Sequence, residues 1–522
     1  MFAHDTRPFF GSDGVMRASN MLISSLRFHK SLKDSVLKPE VFHLKPAKTN
    51  TPTYWNRVGY MPEFIATPLS YLFMAFPLDM SQYANLFQST RLPQPEKDAI
   101  KRYPDSKHIL VMRRGHFYVF DVYNSEGELF EPNYYLESMK KIAEDDVSSV
   151  PSSGIGVFTG SHRDLWTEMR AHLVDLGNEA ALETIDSALY CICLDDWAHD
   201  EEKMIDSVKH LVVGPDPANR WFDKSFSLIY SANGTVGINF EHAWGDGVAV
   251  MRLVDEIVVD SQRNAFVRDG FAYRYKGELG VRRIDVKTDE RVRSEVKAAN
   301  ADYQRKLDAV AFGGFYYDGL GRGMCKRANI SPDSLMQSAF QIAYHRLNAG
   351  QFVPTYESCS TSIYKHGRTE TMRPGTMETK AVAEAFNASS KASSAELLGL
   401  MQAASKQHTE LTKLAAQGQG WDRHLFALRQ LNPDLPIFQD PAYAHVNKNV
   451  ISTSTLASTN MISGGFCPVV PNGFGLGYQI QADRLGSYVS SFVDHTLPDG
   501  MVDALRSTFD DMKKVINEAG KK

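Results

Sequence analysis

Cysteine is scarce in this chain: five among 522 residues, at 191, 193, 325, 359 and 467, an odd set too scattered to staple a small secreted fold. A reducing compartment is the expectation. Cys191 and Cys193 stand two apart, so on a strand they share one face, and two thiols without further ligands make a poor zinc site. They read as buried strand cysteines. Nowhere do apolar residues run to the roughly 18 that span a bilayer. The longest stretch, residues 64–76 (FIATPLSYLFMAF), contains Pro68 and suits packing on the protein or a place at a headgroup boundary. The opening MFAHDTRPFFGSDG carries Asp5 and Asp13 and lacks a hydrophobic signal core. Positive charge is not in excess either. With 57 Lys+Arg against 62 Asp+Glu the formal charge is −5, which gives no reason to expect a nucleic-acid partner.

What is present is globular composition, 43% hydrophobic and 23% charged, in a chain too long for one core of roughly 100–200 residues. Strand-like and helix-like blocks alternate without repeats, as in a mixed α/β protein. The run KSFSLIYSANGTVGINFE (224–241) predicts a β-hairpin turning at Asn233-Gly234, and HAWGDGVAVMRLVDEIVVDSQ then switches to helical spacing. The charged periodic segment 285–309 reads as an exposed helix joining two domains, so the expected division is 1–285 and 286–522. Ser331-Pro332-Asp333 marks a helix start, long helices fit 395–416 and 499–518, and strands fit 450–455, 473–481 and 486–493.

Four clusters carry possible chemistry. His242 and Asp246 form an H-x-x-x-D-G pattern between strand and helix, where a neutral imidazole can take a proton from an alcohol or thiol and Arg252 can pair with Asp246. The bland counterpart is a histidine at a helix cap, with Asp246 complementing the dipole. Ser452 and Ser454 lie on one face of a strand and can donate to an oxyanion, or they can line a polar sheet edge. Tyr356, Ser358 and the KHGRTET run with Thr369, together with Arg423 beside Trp421, offer hydroxyls and cations for a small zwitterion, or solvated loops. Gly321, Arg322, Gly323, Lys326 and Arg327 precede the helix start at Ser331 and Asp333, as a phosphate site or a solvated basic loop without P-loop spacing.

In this order, the segments NRWFDKSF (219–226), NFEHAWGDGVAV (239–250), TYESCST with KHGRTET (355–371), GQGWDRHLFALR (418–429) and ISTSTL with GGFCPVVPNGFGLGY (451–478) resemble the carnitine/choline acyltransferase family. EVFHLKPAKTNT and FPLDMSQYANLFQSTRLP extend the likeness over nearly the whole chain, closest to the long-chain branch. The resemblance implies two domains, each a mixed sheet flanked by helices, in a CoA-dependent acyltransferase fold with an active-site tunnel at their interface. It implies reversible transfer of a long-chain fatty acyl group between carnitine and coenzyme A, which are substrates, with no bound cofactor, metal or acyl-enzyme. His242 would be the base, supported by Asp246 and Arg252, and Ser454 the oxyanion donor. Tyr356, Ser358, Thr369, Arg423 and Ser452 would hold carnitine. Gly321, Arg322, Lys326, Arg327, Ser331 and Asp333 would meet coenzyme A, and Gly464 and Gly465 would shape the acyl tunnel. The family carries a further N-terminal segment with a targeting peptide ahead of the matched part. Kinship places the protein on the matrix side of the mitochondrial inner membrane, touching it through residues 64–76. Two alternatives stay open: a short- or medium-chain carnitine acyltransferase, and an inactive acyl-CoA-binding isoform.

Overall fold

The structure, a computed structural model, describes residues 1–2, 13–58, 61–200, 203–268, 275–390, 392–455, 458–495 and 497–520. Most of the opening segment thus lies outside the described residues. The chain folds into two compact units, and both are discontinuous. The first comprises Met1–Leu37, Gln82–Ala309 and Ser458–Gly464; the second comprises Lys38–Ser81, Val310–Ala457 and Gly465–Lys522.

At the centre of the first unit is a six-stranded mixed sheet of β1 (His108–Arg113), β2 (His116–Asp121), β3 (Cys191–Leu194), β4 (Phe226–Tyr230), β5 (Val236–Phe240) and β6 (Arg282–Ile284), in the order β6-β2-β1-β3-β4-β5. β1, β3 and β4 run parallel, and the outer pairings are antiparallel. Residues 109–112 of β1 (ILVM) and all of β3 (CICL) are apolar and buried because helices cover both faces. The Cys191 and Cys193 sulfurs lie 3.8 Å apart in that buried strand. Leu110, Met112, Phe117, Trp166, Trp221 and Ile229 fill one side. The β4–β5 hairpin forms as expected, with Gly234 at the positive φ of 83°. Its turn is wider than a two-residue one, because the Asn233 amide clasps the backbone of His199 in both directions, at 2.8 Å each.

Helix Glu290–Asp308 shows its charged face to solvent but buries Val292 and Ala299 in the first unit's core. Residues 286–309, expected beyond the division at 285, therefore belong to the first unit. The apolar stripe of that helix carries more free energy than its polar face, so it follows the core it can cover.

The second unit repeats the pairing scheme. β7 (Val310–Asp318), β8 (Thr355–Ser360), β9 (Thr369–Met372), β10 (Ile451–Thr455), β11 (Phe474–Ile480) and β12 (Arg484–Phe492) are ordered β7-β12-β11-β10-β8-β9, with β11, β10 and β8 parallel. One face packs on helix Pro332–Leu347, buried from Ser334 to Tyr344, and on helices Met377–Asn387, Ser394–Ala416 and Pro498–Ala519. Ser331 caps the first of these through its Oγ, as its sequence position predicts. The basic segment expected as a loop contains a short helix, Arg322–Arg327, because Leu320, Cys325, Ala328 and Ile330 are buried at helical spacing while the cations stay outside.

Lys224, in the first unit, is fully enclosed and its Nζ donates to the Asp186 carbonyl. Burial lowers its ammonium from 10.5 to about 7. Between those values the unfolded chain binds the extra proton, so stability should rise with pH from about 7 toward 10.5. Thermal unfolding across this range should show that rise in the wild type and a flatter profile in Lys224→Met; equal slopes would show that the lysine is charged in the folded state.

Candidate active site

β5 ends at Phe240, and helix Gly247–Arg263 begins with Asp246 at its N-cap position. His242 lies in the turn between them, its ring 5.2 Å from that of Phe240. The Asp246 side chain is only 6% exposed while that of His242 is 64% exposed, and Oδ1 lies 3.8 Å from Nδ1. That separation exceeds a hydrogen bond, and the carboxylate is near enough to act on the ring through its charge. Two further bonds fix the turn. Gln82 Oε1 accepts the Asp246 N–H at 2.7 Å, and Trp244 Nε1 donates to the Ser225 carbonyl at 2.7 Å. Arg252, in the second turn of that helix, donates from Nε to Glu256 at 2.9 Å.

In the second unit, strand register sorts the candidate residues. Tyr356 pairs with Ser452, Ser452 with Gly475 and Gly475 with Ser490; Ser454 pairs with Gly477 and Gly477 with Tyr488. Ser358 pairs with Thr371 and Ser360 with Thr369. Side chains in paired rows share a face, so Tyr356, Ser358, Thr369, Ser452 and Ser454 line one hydroxyl-rich side. β10 is an interior strand, which removes the polar-edge reading of its serines. Gly475 lets the 466–467 backbone pack closely on that strand: a Cβ there would stand 2.5 Å from Ser490 Oγ and 2.8 Å from the Phe466 carbonyl. Arg423, from the start of helix Asp422–Leu431, reaches over the β8–β9 hairpin, with Nη2 3.3 Å from Tyr356 Oη and 3.4 Å from Thr369 Oγ1. These three residues meet, and an exposed guanidinium flanked by two hydroxyls can bind a carboxylate.

Arg322, Lys326 and Arg327 are exposed on their short helix, and Gly321 is its N-cap. Ser331 is committed to capping, with its N–H bound by Ser405 Oγ at 2.7 Å. Gly464 ends the first unit's returning segment, and Gly465 opens the next stretch of the second unit. A Cβ on Gly465 would meet Tyr488 Cβ at 3.8 Å, an ordinary contact.

Beneath the hydroxyl face, Glu357 points into the helices. Tyr478 Oη lies 2.9 Å from Glu357 Oε1 and 2.7 Å from Asp333 Oδ1, and His408 Nε2 lies 3.4 Å from Asp333 Oδ2. The tyrosine has one proton and can donate to only one carboxyl group. Burial, and then the neighbouring Asp333 charge, push Glu357 well above the usual carboxylate range. Burial would also raise Asp333, but the His408 and Tyr478 contacts outweigh it and hold that group below its ordinary value. Of the two carboxyl groups, Glu357 is the one shifted toward the protonated form.

The match to the family model for choline/carnitine O-acyltransferases runs over residues 1–507. The chain belongs to this family. It is 42% identical over 488 residues to carnitine O-palmitoyltransferase 2, mitochondrial, of Bos taurus, covering 92% of this chain and 73% of the relative. Against peroxisomal carnitine O-octanoyltransferase of Bos taurus it is 30% identical over 434 residues, covering 78% of this chain and 69% of the relative. Among solved structures, the epimerization domain of the third module of tyrocidine synthetase B matches with a TM-score of 0.34 at 10% identity, covering 63% of this chain and 81% of that one.

In this acyltransferase several neighbours of the candidate residues are not marked out by type or spacing in the sequence. Arg373 donates to Asp422 at 2.8 and 2.5 Å and to the Val446 carbonyl at 2.7 Å, tying the helix start that bears Arg423 to the approach to β10. Glu370 Oε1 accepts the Arg423 N–H at 3.1 Å. Gln337 Nε2 donates to Thr453 Oγ1 at 3.0 Å, and Thr453 Oγ1 donates to the Tyr356 carbonyl at 2.7 Å. The one available signal was the strict alternation of the strands, which sends Glu357 and Thr453 to the helix side.

Because Glu357 is raised above its unfolded value near 4.5, the stability it contributes when protonated is lost as pH climbs above that value toward its folded value. Glu357→Gln mimics the protonated acid. Its unfolding free energy should fall less steeply with pH than the wild type's, by up to about 1.4 kcal/mol per pH unit within the window; parallel profiles would show that Glu357 is ionised in the folded protein.

Proposed function

We propose that this acyltransferase moves a long-chain fatty acyl group reversibly between carnitine and coenzyme A, with His242 as the general base. The observation that carries the reading is the meeting of Arg423, Tyr356 and Thr369 on the sheet face that also bears Ser452, a cradle for the carboxylate of a small zwitterion. The greater identity to the palmitoyltransferase than to the octanoyltransferase supports the long-chain assignment.

In the proposed mechanism His242 Nε2 takes the proton of the carnitine hydroxyl, and the alkoxide attacks the thioester carbonyl. Ser454 donates a hydrogen bond to the resulting oxyanion. Collapse breaks the carbon–sulfur bond, and the coenzyme A thiolate recovers the proton from the imidazolium, so no acyl group rests on the protein. Asp246 orients the ring, and Arg252 supports the turn. Ser452 joins Arg423, Tyr356 and Thr369 at the carboxylate, with Ser358 on the same face. The exposed Arg322, Lys326 and Arg327, in the segment from Gly321 through Ser331 to Asp333, meet the nucleotide phosphates. Gly464 and Gly465 leave room for the acyl chain.

The relative's mitochondrial name supports a mitochondrial location, here proposed as the matrix face of the inner membrane. Among the described residues no helix is long and apolar enough to cross a membrane. Helix Glu63–Leu72 instead turns Ala66 and Leu69 toward the Tyr54–Val58–Ala75 cluster and leaves Phe64 77% and Leu72 81% exposed, with Ile65 and Tyr71 beside them. Such a face suits the headgroup boundary.

Transfer of the acyl group from palmitoylcarnitine to coenzyme A should be lost in His242→Ala with the fold retained by circular dichroism. Retained turnover would reject the base assignment, and faster turnover of acetyl- or octanoylcarnitine in the wild type would reject the chain-length assignment. Arg423→Gln should raise KM for carnitine about 10- to 100-fold, as expected for loss of a charged hydrogen bond, with kcat little changed. Cosedimentation with anionic lipid vesicles should fall in Phe64→Ser/Leu72→Ser; undiminished binding would exclude this helix as the contact.

A further inference from the structure

The turn bearing His242 is tied to a chain of alternating charges inside the first unit. Glu241, immediately before the histidine, uses both carboxylate oxygens. Oε1 accepts the Ala243 N–H at 2.8 Å, shaping the turn itself, and Oε2 accepts Arg91 Nη1 at 3.2 Å. Arg91 Nε donates to Asp98 Oδ2 at 2.7 Å, and Arg163 Nε donates to the same oxygen at 2.7 Å. Arg163 then grips Asp223 through Nη1 and Nη2, at 2.7 and 3.3 Å. Asp223 is anchored in the core by the indole N–H of the fully buried Trp166, at 2.7 Å.

The chain also closes on itself. The Arg91 backbone N–H donates to the Asp223 carbonyl at 2.8 Å, so Arg91 and Asp223 are joined once by backbone and once through Asp98 and Arg163. Two residues beyond Asp223, the Ser225 carbonyl accepts both the Glu241 N–H at 3.1 Å and the Trp244 indole N–H at 2.7 Å. Residues on both sides of His242 are therefore fastened to one closed ring of charges.

We propose that Glu241 is a positioning residue for acyl transfer, holding the His242 turn in register through the ladder Arg91–Asp98–Arg163–Asp223. The proposal rests on the reading of His242 as the base. The imidazole is carried on a turn, so its place depends on how that turn is held, and misplacing a proton acceptor by about 1 Å can cost about 100-fold in rate. A network of bonded charges of this kind acts as a unit, and removing any member relaxes the rest. The ladder touches none of the residues proposed for carnitine or coenzyme A, so its loss should appear in kcat and not in KM.

The test uses the whole chain in the palmitoylcarnitine and coenzyme A assay, with His242→Ala, Glu241→Gln, Asp98→Asn and the Glu241→Gln/Asp98→Asn double variant, each checked for folding. The expected result is a fall in kcat of about 10- to 100-fold in each ladder variant, with both KM values within about twofold of the wild type. The double variant should be no slower than the slower single. Wild-type kcat in Glu241→Gln, losses that multiply in the double variant, or losses confined to KM would each overturn the positioning role. Should Glu241→Gln fail to fold, Asp98→Asn, which removes two contacts from the interior of the ladder and none from the turn, decides alone. Activity persisting in His242→Ala would remove the base reading instead, whereas a dead His242→Ala beside unimpaired ladder variants would leave that reading standing and end this one.

Discussion

Strand side chains alternate, so a strand that presents Tyr356 and Ser358 to one side must send the residue between them to the other. That residue is Glu357, and the other side is a helix-packed core. An ionised carboxylate there, next to Asp333, would be prohibitively costly unless neutralised. Burial and the Asp333 charge shift it toward the protonated form, and the Tyr478 hydroxyl lies within hydrogen-bond distance of both carboxyl groups. Much of the second unit is arranged around this constraint. Tyr478 on β11, Asp333 in the first turn of Pro332–Leu347 and His408 on Ser394–Ala416 converge on it, and the polar bonds they make tie two helices to the underside of the hydroxyl face.

The first unit solves a related problem by opposite means. Its sheet is apolar on both sides, so the polar groups that shape the His242 turn cannot come from the strands themselves. They come from outside that sheet: Gln82, Arg91 on the short strand Ser89–Leu92 and Asp98 before β1, Arg163 at a helix start, and Asp223 just ahead of β4. Burial raises the Asp223 carboxyl to about 6, while its contacts with Arg163 and Trp166 favour the anion. A site on a turn gains geometric definition from such charged struts, at the cost of burying several ions that must all stay paired.

These two solutions explain what could be read from the sequence. The hairpin around Gly234, the helix beginning at Gly247, the Ser331 cap and the shared face of Ser452 and Ser454 each depend on residues within a few positions of one another, and all were legible. So were the pairs brought close by a short turn, His242 with Asp246, and by a familiar family pattern, Tyr356 with Thr369 and Arg423. The interior place of β10 was not legible, because it depends on β11 following it in parallel after a crossing segment that belongs to the first unit. Neither was the ladder, whose outer contact joins residues 150 apart in sequence. An arginine in a connecting segment looks the same on the page whether it is solvated or braced.

The division of the chain follows from the same economy. Segments 38–81 and 458–464 leave the unit that surrounds them in sequence and join the other. For the shorter one the reason is visible within the first unit: Asn460 Nδ2 donates to Asp255 Oδ1 at 2.7 Å, Ser458 Oγ donates to the same oxygen, and Ile462 N–H donates to the Met1 carbonyl at 3.0 Å. Asp255 lies on the helix that starts behind His242, so a segment only a few residues past the Ser454 strand is bonded to the helix of the proposed base. Any substitution that loosened Asp255 would therefore release the segment Ser458–Gly464 as well as disturb its own helix. A division drawn at one point in the sequence misses that coupling, because each unit is completed by residues taken from within the span of the other.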